Sequence, residues 1–290
     1  VLTSENDSTP FDLRFRLLGT SIRVPLLFWI FGALFGYFYM RYREQVRGED
    51  LGWSFVALWI GWLFVSSLAH DLGHIVVARL AGRRGQIVLG GQPSWDAPAS
   101  RRWQRIAIAA AGPCAGFLFY GLAKLIKEKV VPLFGVKFFV QQPVLTMMIN
   151  ESMDMLVFIS LFWNLLNLLP IWTLDGGEIS LEVFSGLSRA NGYRFAFGLS
   201  SLLAAAACAY SVMVAFRPGL PYLEVIHAGL KGFHPGLMAF FTGLMAIQSI
   251  SALVKAERER RGESNAVKSN AVKSNAVKSD AAESEESTPW

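Results

Sequence analysis

Charge is scarce in this chain. Of its 290 residues 17% are Asp, Glu, Lys or Arg and 53% are hydrophobic, against about 25% and about 45–50% in ordinary soluble domains. The shortage deepens in the body, because residues 255–290 alone carry seven basic and seven acidic side chains. That balance argues against a purely soluble globular chain. Uncharged stretches long enough to cross about 30 Å of hydrocarbon, for which about 20 apolar residues suffice, make a multi-spanning membrane protein the working class. The net charge of +5 belongs to the body, since the tail sums to zero. No aromatic residues interleave with basic ones as a base-stacking surface would require, so nucleic acid is not implied; basic loops beside membrane spans account for the charge. Cysteine is scarce too. Cys114 and Cys208 each sit in an apolar stretch, which points to packing rather than to a disulfide or a thiolate metal site. Residues 1–10 are polar with no short apolar run ending at a cleavage site, so no removable signal peptide is expected there.

What is present in abundance is long apolar sequence. Six candidate spans are expected at 24–40, 51–80, 106–126, 155–174, 195–216 and 235–254. The first contains Gly32 and Gly36 at the small-xxx-small spacing that lets helices approach closely, a spacing that two unrelated glycines also produce. Residues 130–150 carry Pro132, Lys137 and Pro143 and read as an interfacial or re-entrant piece. Residues 1–23 form an N-terminal arm, 24–254 a membrane domain, and 255–290 a tail with a five-residue repeat, Ser264-Asn265-Ala266-Val267-Lys268 and two further copies. So short and polar a repeat cannot bury a face and is expected to be disordered. Counting Lys and Arg between spans puts 18 on one side and 9 on the other; the richer side, holding both termini, is expected to be cytoplasmic. Residues 86–89, between glycine breaks, have the composition of a short surface strand. The expected class is therefore an all-α polytopic protein in the lipid bilayer, with a short β element at the membrane surface.

Within the spans, apart from Arg79 at the trailing end of the second, the residues that could carry charge are confined to His70, Asp71 and His74 until Lys124. An ionisable group deep in a membrane helix is costly and marks a functional site by default. Residues four apart share one helix face, so His70 and His74 can present two imidazoles to one metal ion, the geometry that underlies the His-Glu-x-x-His zinc motif. Two histidines can also bridge backbone carbonyls between packed helices, so the pentad by itself leaves both readings open. A catalytic zinc generally takes three protein ligands, and Asp175, at the trailing end of the fourth span, is a carboxylate in the right kind of place.

The ordered motifs resemble the site-2 protease family of intramembrane zinc metalloproteases. The resemblance rests on His70-Asp71-Leu72-Gly73-His74, on Ala111-Gly112-Pro113, and on Asn167, Pro170, Leu174, Asp175 and Gly176 in the pattern Asn-x-x-Pro-x-x-x-Leu-Asp-Gly. It covers roughly residues 55–185. It implies a three-helix metalloprotease core within about 51–185, a Zn2+ cofactor, His70, His74 and Asp175 as metal ligands, Asp71 as the general base, and Asn167 near the substrate. For Asn167 a helix–helix hydrogen bond is the competing reading. The implied substrate is a transmembrane segment of another membrane protein, with residues 86–89 pairing to it as an added strand. His227 and His234 read as loop or interfacial residues, and oligomeric state is not legible. Two departures from the family pattern stand out. Gly116 occupies a place where many members have Asn, and Asp71 stands where Glu is usual. Asp is one methylene shorter, which withdraws the carboxylate by roughly 1–1.5 Å, and a misplacement of about 1 Å costs on the order of 100-fold in rate. The sequence therefore leaves an active protease and a pseudoprotease that binds membrane helices both open.

Overall fold

The computed structural model describes residues 9–17, 19–48, 51–91, 94–95, 101–135, 140–216 and 234–286. The chain opens with strands β1 (Leu13–Leu17) and β2 (Thr20–Val24), followed by helices α1 (Leu26–Arg47) and α2 (Trp53–Leu80). Strands β3 (Gly85–Val88) and β4 (Ser94–Trp95) lead to α3 (Arg102–Leu125), which continues into a π-helical turn at Ile126–Val130 and a 3-10 turn at Val131–Phe134. Then come α4 (Pro143–Asn167), α5 (Asp175–Leu187), α6 (Gly192–Phe216) and α7 (Pro235–Glu286).

Among the described residues, five helical segments are long and apolar enough to cross a membrane: Trp53–Leu80, Arg102–Leu133, Pro143–Asn167, Gly192–Phe216 and Pro235–Gly262. The stretch expected as the first of six spans falls short of that measure. Its apolar run stops at Met40 and α1 carries on through Arg41, Arg43 and Glu44 until Gly48, in the left-handed conformation, donates its N–H to the Glu44 carbonyl. The fourth span also moves. Pro143 fits the first turn of a helix, where its missing N–H costs nothing, so α4 starts there, and the described residues of the expected broken piece at 130–150 include the 3-10 turn Val131–Phe134 and the first two turns of α4. α7 runs on through the repeat to Glu286, where composition suggests a disordered tail.

α1, α3 and α4 pack around α2. Helix α1 approaches closely because Gly36 lies against the Trp59 indole, where a Cβ would meet Cδ1 at 2.8 Å, and Gly32 lies against Leu63; the small-residue spacing is therefore a contact. Arg43 of α1 forks onto Glu151 of α4, at 2.9 Å and 2.5 Å, and Glu151 is fully buried. The α6–α7 hairpin is joined by a Ser200–Ser249 hydroxyl pair at 2.7 Å, and Phe241 of α7 stacks on Phe35 of α1.

The N-terminal arm contains a hairpin that completes a four-stranded sheet in the order β1-β2-β3-β4. β1 and β2 alternate apolar and polar residues around a turn in which Gly19 has φ +71. β2 then runs parallel to β3, pairing Ser21–Arg23 with Gln86–Val88, and Ile22, Val24, Ile87 and Leu89 bury their side chains in the core beside Phe28 and Phe55. Arg79, at the end of α2, donates to the Thr20 hydroxyl at 2.8 Å. The expected strand at 86–89 exists, flanked on one side by β2 and on the other by β4.

Candidate metal centre

The site is assembled from four helices. On α2, His70 and His74 are both buried, their rings edge to face with centroids 4.9 Å apart. Each imidazole is oriented through Nδ1. His74 Nδ1 lies 2.7 Å from the backbone carbonyl of Ile108 on α3; a carbonyl can only accept, so the proton is on Nδ1. His70 Nδ1 lies 2.8 Å from Oδ1 of Asn164 on α4. The Asn164 amide nitrogen donates to the Ser160 carbonyl, which leaves its oxygen for His70 and puts the proton on Nδ1 there as well. In the neutral rings both Nε2 atoms therefore carry the lone pair, and they face each other at 3.2 Å.

Asp175 closes the third side. α4 ends at Asn167, and residues 168–174, with Pro170 among them, fold back over the first turn of α5. Gly176 and Gly177 permit this: a Cβ on either would come within 2.2 Å of the Leu168 carbonyl or 2.1 Å of the Ile171 carbonyl. The return is held by the Trp172 N–H donating to the Ser200 hydroxyl at 2.7 Å. Asp175 thereby places Oδ2 3.0 Å from His70 Nε2 and Oδ1 3.3 Å from His74 Nε2. Farther along α5, Glu182 is gripped by Arg105 of α3 at 2.6 and 2.7 Å, fixing the helix that carries the aspartate. Glu178, one turn after Asp175, has its carboxyl held above the ordinary range, first by burial and then by the Asp175 charge.

With both imidazoles neutral, two lone pairs and a carboxylate converge with no donor among them, an arrangement that a cation between them satisfies. Zinc with bonds of about 2.0–2.1 Å in a tetrahedron separates its ligand atoms by about 3.3–3.4 Å, and the three separations here are 3.2, 3.0 and 3.3 Å. The floor of the site is Gly112 on α3, where a Cβ would stand 2.2 Å from His74 Nε2 and 2.6 Å from His70 Nε2. Gly73 of α2 makes that approach close, its own Cβ position lying 2.3 Å from the Ala111 carbonyl. Asp71 completes the cluster: a carboxylate oxygen and the two imidazole nitrogens lie within 4.8 Å of one another, and its Oδ2 is buried with no hydrogen-bond partner. The residues present fit a divalent ion with an acid beside it.

The same region carries the comparison with known proteins. Residues 58–210, just over half of the chain, match the family model of peptidase family M50. The chain belongs to peptidase family M50. A relative in Synechocystis sp. (strain ATCC 27184 / PCC 6803 / Kazusa), which carries the provisional name of a zinc metalloprotease, is 32% identical over 122 residues. That match covers 40% of this chain and 28% of the relative. No solved structure matches the chain. With the M50 assignment and its five long apolar helices, the chain is an integral membrane protein.

The structure thus brings His70, Asp71, His74 and Asp175 into one cluster. Asn167, at the end of α4, donates to the Trp163 carbonyl of its own helix at 3.0 Å. Asn164, one turn earlier and fully buried, is a site residue that the motifs did not single out; its signal was an uncharged polar side chain in an apolar span. Gly116, the departure noted in the Ala111-Gly112-Pro113 segment, lies directly against that Asn164 amide. Of the remaining histidines, His234 packs on the Phe38 ring at 4.5 Å, and His227 lies outside the described residues.

Proposed function

We propose that the protein is an intramembrane zinc metalloendopeptidase that cleaves membrane proteins within or near their transmembrane segments, in the manner of regulated intramembrane proteolysis. The observation that carries this reading is the convergence of His70, His74 and Asp175 as three acceptors at zinc-ligand spacing, with the unpaired Asp71 carboxylate beside them. Zinc, held by those three residues, would supply Lewis acidity toward a peptide carbonyl and acidify water. Asp71 takes the proton from the attacking water and returns it to the amine as the C–N bond breaks. The Nδ1 partners of His70 and His74 keep both rings in the tautomer that can ligate. Asn167, at the end of α4, hydrogen-bonds the substrate backbone after releasing the Trp163 carbonyl. A substrate helix hides its carbonyls in intrahelical bonds and must unwind first. Since β3 is flanked on both sides, strand addition falls to the outer strands, β1 or β4 among the described residues. The basic side, which carries the sheet, Arg102 and Arg105, faces the cytoplasm, and water reaches the site from there.

A second reading rests on Asp71 itself: its carboxylate is a methylene short, so the chain would bind membrane helices without cutting them. Cleavage of a reporter with a helix-destabilised transmembrane segment separates the two. The protease reading expects cleavage by the parent, loss of it in His70→Ala and Asp71→Asn, and loss on chelation of zinc. Cleavage by Asp71→Glu alone establishes the pseudoenzyme instead, and a purified parent without zinc removes the metal-centre assignment.

A further inference from the structure

Asn164 stands one layer behind the metal centre, fully buried on α4 at the level of His70. Its amide spans two fixed groups. On one side the Ser160 carbonyl, four residues back, takes the amide proton; on the other the His70 ring donates from Nδ1 at 2.8 Å. Because the Ser160 carbonyl can only accept, the amide has one satisfied orientation, and that orientation dictates the His70 tautomer. The room for it comes from a third helix. On α3, a Cβ at Gly116 would stand 1.9 Å from the Asn164 Oδ1 and 2.2 Å from both Cγ and Nδ2, so any side chain at 116 and the amide of 164 exclude each other. The closeness is not general along α3: a Cβ at Gly121 would have nothing within 4 Å.

We propose that Gly116 and Asn164 form one positioning unit for His70, in which the bare backbone of α3 admits an amide from α4 that fixes the ring's orientation and keeps Nε2 as the ligating atom. The inference rests on the metal-centre reading above and goes beyond it in two respects. It assigns a role to a residue outside the ligand motifs. It also makes that role conditional on a glycine in another helix, so neither loss of the acceptor at 164 nor a side chain at 116 is tolerated alone, while a compensating exchange is: an amide carried by residue 116 would occupy the volume that Asn164 now fills. Asn164 acts through His70 and touches no reacting atom, so its effect is on the ligand set first and on cleavage only through it.

The test uses the full chain in lipid nanodiscs and reads the metal rather than turnover: zinc affinity by competition with a chromophoric chelator, and the d–d spectrum of the cobalt-loaded protein as a report on ligand geometry. Loss of a partner to a ligating histidine typically costs about 10–100-fold in metal affinity. Asn164→Leu, nearly isosteric, and Gly116→Ala, whose methyl displaces the amide, are both expected to weaken zinc binding in that range and to alter the cobalt spectrum. Asn164→Asp keeps an acceptor for His70 and is expected to keep most of the affinity and the parent spectrum, which a loss of packing alone would not predict. Gly116→Asn and Asn164→Gly are each expected to be impaired, and the double exchange to recover. Parental affinity and spectrum in Asn164→Leu or Gly116→Ala overturn the proposal, as does a double exchange no better than its worse single variant. If the parent binds zinc and His70→Ala does not, such a result sinks the positioning unit alone; if the parent binds none, the metal-centre reading falls with it.

Discussion

Gly112 offers the sharpest single perturbation. In Gly112→Ala the added methyl carbon would lie 2.2 Å from His74 Nε2, 2.5 Å from its Cε1 and 2.6 Å from His70 Nε2. Ordinary carbon–nitrogen contact needs about 3.5 Å, comparable to the carbon–carbon optimum, so the two rings must each retreat by roughly 1 Å. They cannot do so cheaply, because each is tethered through Nδ1 and the interior around them is close-packed. A functional metal site tolerates distances only within about ±0.2 Å of ideal values. The methyl also crowds the Nε2 atoms of both rings, the atoms proposed to ligate. Gly112→Ala is therefore expected to abolish stoichiometric zinc binding, not merely to slow a reaction. Gly121→Ala is the matched control: the same substitution in the same helix, with nothing within 4 Å of the new carbon, should leave zinc content unchanged and add up to about 1 kcal/mol of stability from the better helix former. Elemental analysis and chelator competition on both purified variants decide the matter. A Gly112→Ala protein that holds one zinc with parental affinity would refute the placement of α3 beneath the imidazoles, and with it the ligand geometry of the site.

Three further outcomes follow from other parts of the molecule. Glu151→Ala leaves Arg43 facing a buried cavity with Asp154 at 3.7 Å as its remaining acid; removing one member of a buried pair costs about 3–5 kcal/mol, and partial exposure of Arg43 brings the expected loss to the lower end, measured as the unfolding transition in nanodiscs. Arg194→Ala, which breaks an exposed pair with Glu257, should leave the same transition in place, since surface pairs contribute little. In zinc-free protein, Glu178→Gln should stabilise the fold at neutral pH: burial and the Asp175 charge raise the folded-state pKa of Glu178, so the parent loses stability as pH climbs from the unfolded glutamate value, about 4.3, through the raised one. Below that range both side chains are neutral, and the advantage of the glutamine should vanish in a pH series of unfolding midpoints.

Much of the fold is visible in the sequence where the signal is local. His70 and His74 have to share a helix face at spacing four, and Pro170 with Gly176 and Gly177 announces a chain reversal that the structure places between α4 and α5. The hairpin at 13–24 also has a local signature, alternating Leu-Arg-Phe-Arg-Leu and Ser-Ile-Arg-Val around Gly19, but the apolar run that suggests a first span begins at its last residue and masks it. What lies beyond the sequence is long-range. The pairing of β2 with β3 joins residues more than sixty positions apart, and neither strand alone states a preference for the other. Asn164 illustrates the same limit at the site: nothing in its immediate neighbours distinguishes it from Asn167, and only the gap at Gly116 on a different helix gives it a place beside His70.

The reversal that carries Asp175 has a consequence for how such a protein is made. His70 and His74 enter the bilayer with α2, whereas their carboxylate partner arrives only after α3 and α4 have been threaded and the loop at 168–174 has closed on α5. A nascent chain still attached to the ribosome at α4 holds two of the three proposed ligands, with the first turn of α5 not yet seated. On the proposed ligand set, metal retention is thereby tied to completed topology: a chain whose later helices fail to insert, or insert in the wrong order, lacks the third carboxylate ligand and, with it, the proposed hydrolytic centre.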